Sequence, residues 1–354
     1  MTLSRGAIGN LVNRYRAVLR KCRMMNVFGS LAVAGMLVAG NAGFAGAEEL
    51  SGDISPISLS GDTRNIIGVG DISLRSTEPA LRYLISVSGQ GQLDISMSNG
   101  SPMAVGHADG IYLKDYSDSD QYASAFHVAG SGSSGSFVGT GTFSMVGGGK
   151  LLGVCAFLSE SKGTLTLSGD ITGEAEAVMN GSNGYASFAA AAAGGNLVFG
   201  GDRTTLRAKA STGNNANGAF VKYGGMIDFA SKSVLIESKN TDSNSVGINC
   251  ADGTVKTSAD TDLDIVVEGN KATTGIQLTA SSSDVQLAGN LDLTATQTGQ
   301  DSFASVLGIS NDSGKMVVSG PTSLRLVTNA PFDAKGITAS GKADMSFLGD
   351  VEIA

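Results

Sequence analysis

Residues 273–299 read TTGIQLTASSSDVQLAGNLDLTATQTG, three short runs of alternating apolar and polar residues separated by two polar turns. This alternation has the period of a β-strand, in which successive side chains point to opposite faces. The stretch contains no aromatic ring and no evident nucleophile. It therefore predicts three short strands, each with one buried face, and carries no catalytic signature.

The stretch belongs to a series of internal repeats, each marked by a Gly-Ile pair. The clear pairs are Gly247-Ile248, Gly275-Ile276, Gly308-Ile309 and Gly336-Ile337. Less regular counterparts are expected at Gly110-Ile111, Gly153-Val154, Tyr185 and Gly218-Ala219. From Gly153 onward the units are about 28 to 34 residues long, within the range of about 20 to 50 that is typical of solenoids, propellers and repeat arrays.

Three strands per unit, stacked unit upon unit, predict an all-β protein: a right-handed parallel β-helix with irregular N-terminal rungs. We expect the isoleucines of the Gly-Ile pairs to form one interior column, and Leu263, Leu291 and Leu324 to form another. Because the chain has no Trp and only 6% aromatic residues, we expect that large rings are too few to form a compact core. The same scarcity of rings disfavours a propeller or a transmembrane barrel, and FAAAAAGG at 188–195 is expected to be a strand or turn.

The first residues have the layout of a secretory signal. Six basic residues accompany the apolar run VFGSLAVAGMLVAG at 27–40, and small residues follow, ending in Ala45-Gly46-Ala47 before two glutamates. This layout indicates cleavage after Ala47, and the apolar run is shorter than the about 20 residues of a transmembrane helix. We predict a helical, extended signal peptide over 1–47, with an amphipathic anchor or a retained helix as the alternative.

The predicted mature chain is strongly acidic. The whole sequence has 24 Lys and Arg against 32 Asp and Glu, and residues 1–47 hold six of the basic residues and none of the acidic ones. The remainder has 18 basic residues and a net charge of −14. Such a surface repels phosphate groups, so nucleic acid and anionic lipid are poor partners.

The rhythm of Gly-Ile, turn, strand, GD or GN, and strand resembles the β-helical passenger region of type V autotransporters, the self-secreting surface proteins of double-membraned bacteria. The segment NRYRAVLRK at 13–21 is similar to the extra charged segment of their extended signals. The resemblance implies secretion to the cell surface, in association with the outer membrane. It also implies a C-terminal translocator barrel, which this sequence lacks, and membrane contact only through that barrel.

Three regions are predicted: the signal peptide at 1–47, an irregular β-rich region with the first rungs at 48–150, and regular β-helix repeats at 151–354. Because the sequence stops inside an expected strand, we predict that the repeats are truncated at the C-terminus. The whole would be a fragment, a truncated gene product or a passenger separated from its translocator.

The mature chain keeps two cysteines, Cys155 and Cys250. We place them three rungs apart in nearly the same column, about 14 Å at a strand spacing of about 4.8 Å. A disulfide needs Cα atoms within about 7 Å. We therefore predict two free, mostly buried thiols.

The sequence contains two histidines, His107 and His127. His107 has Asp109 nearby, so a Ser-His-Asp arrangement stays open, but no G-x-S-x-G motif occurs and NDSGK at 311–315 is expected to be a turn. We expect His107 and His127 to be exposed loop residues. GITASGKA at 336–343 lacks the Ser or Thr of a phosphate-binding loop after its lysine.

Carboxylates give a weaker signal. Asp260, Asp262 and Asp264 alternate along one strand, so all three are expected to face outwards. Such a row suits calcium binding or sugar cleavage, but a solvated outer face is favoured. The acidic group Asp115, Asp118 and Asp120 lacks the spacing of an EF-hand loop.

We predict no catalytic residue, no cofactor and no metal ligand. The favoured function is that of a non-catalytic passenger whose loops bind cell-surface or matrix glycans or proteins, with the export machinery as a further partner. The alternative is a β-helical extracellular enzyme, a polysaccharide lyase or hydrolase. An enzyme would need charged groups from adjacent rungs aimed at one groove, and we expect no such cluster.

Overall fold

The computed structural model describes residues 47–98, 100–108, 122–148, 153–178, 186–211, 215–299, 305–329 and 334–354. The described part is all-β, and its parallel sheets form a β-solenoid of about nine turns. Residues Glu48–Ala354 form one compact unit. The predicted signal peptide, Gly110-Ile111 and Tyr185 lie outside the described residues.

Each turn of the solenoid has three faces. Face 1 is the ten-stranded sheet, and faces 2 and 3 are the two halves of the 17-stranded sheet. A rung is one turn, entered at face 1 and left at face 3. The first strands are β1 (Glu48–Ile54), β2 (Ile57–Ser60), β3 (Thr63–Ser76), β4 (Tyr83–Ser88), β5 (Gln92–Met97) and β6 (Pro102–His107).

The middle rungs contain one short and one long strand each. Their strands are β7 (Tyr122–Ala129), β8 (Ser134–Gly147), β9 (Gly153–Glu160), β10 (Thr164–Ala177), β11 (Ala186–Ala193) and β12 (Asn196–Ala210). The long strands run through faces 2 and 3 without a break. Their bend is at a glycine column, where Gly169 has φ 120° and a Cβ would collide with the carbonyl of Gly139 on the rung above.

The lower rungs have the three short strands per unit that the repeats predicted. Their strands are β13 (Asn215–Lys222), β14 (Gly225–Phe229), β15 (Ser233–Asn240), β16 (Ser245–Cys250), β17 (Gly253–Thr257), β18 (Asp262–Gly269), β19 (Ala272–Leu278), β20 (Ser283–Leu287), β21 (Asn290–Gln297), β22 (Ser305–Asn311), β23 (Lys315–Val318), β24 (Thr322–Thr328), β25 (Ala334–Ala339), β26 (Asp344–Phe347) and β27 (Val351–Ile353).

The predicted isoleucine column is confirmed. Ile248, Ile276, Ile309 and Ile337 pair in turn across face 1. In the upper rungs the same column continues as Ile57, Ile85, Phe126, Phe157, Ala190 and Ala219. Stacking buries these side chains between neighbouring rungs, because no single rung encloses them.

Face 1 departs from strict alternation at the Gly-Ile pair. Gly275 faces the core, since a Cβ there would lie 2.6 Å from Leu293 Cδ2, yet the next residue, Ile276, is also fully buried in the core. Two consecutive residues therefore point inwards, and glycine is the one that leaves room for Leu293. The flanking residues, Thr274 and Gln277, lie on the outer side of face 1.

Large rings fill much of the core, which corrects the expectation drawn from composition. In the middle rungs Phe143 contacts Phe137 and Phe157 at centroid distances of 5.2 and 5.1 Å, and Phe157 contacts Phe199 at 5.6 Å. Few rings suffice because they are concentrated in neighbouring rungs. The stretch at 188–195 is confirmed as a strand, since β11 carries its alanines.

Three column assignments were wrong, one of which concerns the two cysteines and is described with them below. Leu263 pairs with Leu291 as expected, but Leu324 pairs with Leu293, two residues further along. A shift of two residues keeps every side chain on the same face, so alternation alone does not exclude it. Gly153 pairs with Ala186 and not with the Gly-Ile column, because alanine replaces the glycine in the upper rungs.

Candidate functional site

The Asp row lies on the outer side of face 3. Asp262 and Asp264 are exposed on β18, and Asp260 is exposed in the turn before it. Across the rung boundary Asp264 pairs with Asp292, and the Asn290 side-chain amide donates a hydrogen bond to Asp262 at 2.7 Å. The outward orientation on the strand is confirmed for Asp262 and Asp264, whereas Asp260 precedes the strand on which it was expected.

Burial and carboxylate repulsion both act on this row. Partial burial raises the pKa of Asp264, and the neighbouring charges of Asp292 and Asp262 raise it further. Among the described residues no three His, Cys, Asp or Glu side chains are placed to hold a metal ion. Asp115, Asp118 and Asp120 lie outside the described residues.

A second charged group crosses three rungs on face 3. Arg207 donates hydrogen bonds to Glu174 at 3.2 Å on the rung above and to Glu237 on the rung below. Beside it lies a cleft of about 50 Å³ that Glu176 and Lys209 also line. The expectation that no charged cluster spans adjacent rungs was therefore wrong: the side chains meet because the register stacks them.

The chemistry open to this cluster is limited. Ligand pockets usually have volumes of about 300 to 1,000 Å³, well above the volume of this cleft. Arg207 also compensates both carboxylates, and ion pairs this exposed contribute little to stability. The cluster is a charged surface feature with a shallow depression.

His107 is not the exposed loop residue that was expected. It is the last residue of β6 and is almost fully buried. Burial lowers the pKa of its imidazole, and the backbone of Leu81 and Glu78 offsets this effect in part. Asp109, its candidate partner, lies outside the described residues.

His127 is also buried, on the outer side of face 1, and it has well-defined partners. Its Nε2 lies 2.9 Å from a Glu160 carboxylate oxygen, and its Nδ1 lies 3.4 Å from the Ser86 hydroxyl. The Tyr83 ring stacks on the imidazole at 4.0 Å. These contacts fit an Nε2–H that donates to Glu160 and an Nδ1 that accepts from Ser86.

Ser86, His127 and Glu160 contact one another in the order of a catalytic triad. A catalytic site also needs backbone N–H groups that form an oxyanion hole, and these are missing here. Ser86 lies in the middle of β4, which pairs with β2 on one side and β7 on the other. The backbone N–H groups around it are therefore engaged in the sheet and cannot form an oxyanion hole. The contacts fix the imidazole in place without a complete acyl-transfer site.

Around His127 the outer side of face 1 carries a hydrophobic cluster separate from the core, which we call the outer layer. Its buried members are Tyr122, Cys155, Leu158, Phe188 and Ala191. The Phe188 ring contacts Tyr122 at 6.0 Å and stacks on Phe220 at 4.7 Å. The outer layer was missed in the sequence because alternation assigns only one apolar side to each strand.

Lys222 and Tyr223 border the outer layer, at the corner between faces 1 and 2. The ammonium of Lys222 lies 5.0 Å from the ring centre of Tyr122, 5.7 Å from that of Phe220 and 4.5 Å from that of Tyr223. These are cation–π distances. The Tyr223 side chain projects into solvent.

The two cysteines are free and buried, as predicted. Cys155 belongs to the outer layer, whereas Cys250 is in the core. They do not share a column: Cys155 aligns with Val246, and Cys250 aligns with Val221. Burial raises the pKa of both thiols, that of Cys250 to about 11.

The remaining sequence motifs have structural explanations. NDSGK is the predicted turn, in which the buried Asn311 amide donates to the carbonyl of Gly314 at 2.8 Å and accepts from its N–H at 2.7 Å. GITASGKA begins in β25 and continues into the next turn. In the described part no helix is long and apolar enough to cross a membrane.

The chain matches no protein-family model, no curated protein and no solved structure.

Proposed function

We propose that the protein is an exported, surface-displayed passenger of the autotransporter kind, a non-catalytic β-solenoid that presents loops for adhesion. The observation that carries this proposal is the distribution of loop lengths. The segments that connect face 3 to face 1 differ in length: the segment at 270–271 has two residues, and the segment at 108–121 has 14. Segments between faces 1 and 2 have only two to four residues.

Length variation at a single corner separates the scaffold from the display surface. Insertions there leave the strand pairing of all three faces intact, since loop closure becomes only slowly more costly with length. Connecting segments on a rigid scaffold are the usual place for binding residues. The basic leader with its small-residue cleavage site and the acidic mature chain support export of the protein.

Export is tested by expressing the full chain in a double-membraned bacterium and sequencing the N-terminus of the product. We expect a mature chain that begins at Glu48 and is found outside the inner membrane. A cytoplasmic product that retains residues 1–47 would contradict the proposal.

Adhesion is tested with beads coated with the mature protein and applied to cultured epithelial cells and to matrix proteins. We expect bead retention to fall when residues 109–120 are replaced by a Gly-Ser link, and to persist when residues 279–282 are replaced by four alternative turn residues. The second variant alters the corner between faces 1 and 2, where every segment has two to four residues. Equal retention of both variants, or no retention of the wild type, would refute adhesion through the variable corner.

A second candidate, a β-helical carbohydrate-active enzyme, is favoured by one observation, the Glu174–Arg207–Glu237 group beside its cleft. The purified protein can be incubated with neutral and acidic polysaccharides, and new reducing or unsaturated ends measured. We expect no turnover. Turnover that is lost in Glu174→Gln, or in the double variant Asp262→Asn with Asp264→Asn, would establish the enzyme instead.

A further inference from the structure

The ammonium of Lys222 is held by aromatic rings. It rests against three of them, and Lys222 forms no ion pair in the described part of the chain. Lys232 and Lys239, by contrast, have carboxylate oxygens at 2.7 and 2.9 Å. Ring faces position an ammonium while leaving its positive charge available to an anion.

Tyr223 places an aromatic ring in solvent beside this cation. The residue is 71% exposed, the largest exposure of any aromatic residue described. Its backbone has φ 56°, and Gly224 follows with φ 71°. Bulky residues rarely adopt this left-handed conformation, and on the rung above Gly194 takes a positive φ at the same corner. This turn projects the ring into solvent, with the Lys222 ammonium 4.5 Å from its centre.

The corner that carries Tyr223 has charged side chains of both signs, with Asp252 one rung below and basic residues on the same rung and above. Lys162, at the same corner two rungs above, is exposed and also forms no ion pair in the described residues. At a strand spacing of about 4.8 Å the two corners are about 10 Å apart. The nearby carboxylate of Glu160 accepts a hydrogen bond from His127 at 2.9 Å and keeps its negative charge.

We infer that Tyr223 and Lys222 form a binding site for a carboxylated sugar ring, such as the uronic acid unit of an acidic glycan. The apolar face of the sugar packs on the exposed Tyr223 ring, and its carboxylate reaches over the ring edge to Lys222. Lys162 is placed to bind a second carboxylate of the same glycan. This inference rests on the proposed adhesive function and names the ligand class.

The test is calorimetric titration of the mature protein with an oligogalacturonate and with the same oligomer fully methyl-esterified, which has the same rings without the charges. We expect the ester to bind about tenfold more weakly or worse. Lys222→Met and Tyr223→Asn should each weaken binding of the acid about tenfold, and Lys162→Ser less. Asn suits the left-handed turn, so Tyr223→Asn should fold at least as well as the wild type.

Lys271→Met is the matched control, because Lys271 is an exposed lysine at the corner between faces 3 and 1. It should bind like the wild type. Equal binding by Lys222→Met, equal binding of the ester, or no binding of the acid would overturn the inference. Equally tight binding of poly-glutamate would overturn it in favour of an acidic peptide.

The outcomes for this site and for adhesion are separable. Cell adhesion that persists in Tyr223→Asn, with no binding of oligogalacturonate, rejects only the sugar site. Oligogalacturonate binding without bead retention on cells or matrix rejects the adhesive function and keeps the site.

Discussion

Replacing Ile309 with aspartate tests whether the isoleucine column lies inside the solenoid. Ile309 is 0% exposed and pairs with Ile276 above and Ile337 below. The substitution removes about 2 kcal/mol of apolar burial and adds several kcal/mol for an unpaired buried carboxylate. The total, about 5 kcal/mol or more, is comparable with the whole stability of many domains, about 5 to 15 kcal/mol.

Because each rung contacts only its neighbours, the loss should be local. The variant should unfold at a lower urea concentration than the wild type. Its hydrogen exchange should be accelerated more in residues 305–354 than in residues 153–211. Asp292→Asn, on the exposed outer side of the neighbouring rung, is the control and should change stability by less than about 0.5 kcal/mol. If Ile309→Asp unfolds at the wild-type urea concentration, the column does not lie in the core.

Three further outcomes are expected. The lowered pKa of His107 means that the unfolded chain binds its proton more readily, so stability should fall as pH drops below about 6.5; His107→Gln should lose this dependence in thermal unfolding between pH 5 and 8. The raised pKa of Asp264 has the opposite sign, so its contribution is lost as pH rises through the folded-state pKa; Asp264→Asn should melt higher than wild type at pH 7 and equally at pH 3, and a lower melting temperature at pH 7 would contradict this. Mass spectrometry should find Cys155 and Cys250 without a crosslink and alkylated only in denaturant, whereas rapid labelling of native protein would show that the thiols are accessible.

The sequence was sufficient for the solenoid and for its lower columns, because Gly-Ile pairs and alternating runs recur where the rungs are regular. Prediction failed where another residue meets the same physical need. Ala156 and Ala189 replace the glycine in the upper rungs, so the glycine pattern indicated Gly153 instead. Leu324 was misplaced by two residues, a shift to which an alternating pattern is insensitive.

The candidate site was harder to predict because it depends on contacts between rungs. His127 and Glu160 are 33 positions apart, about the length of one repeat unit. A correct alignment of the upper rungs would have placed the two residues on neighbouring rungs. The same is true of Glu174 and Arg207. A strict alternation of period two does not reveal the outer layer. Because two consecutive residues of face 1 point inwards, the outward-facing positions on either side of them are three residues apart.

The confinement of length variation to one corner also has a practical consequence. A peptide of a dozen residues grafted between Gly269 and Ala272 would start and finish beside neighbouring strands that already pair on both sides. Grafts on successive turns would emerge about 4.8 Å apart along the axis, so the molecule could carry several foreign epitopes at a fixed and countable spacing.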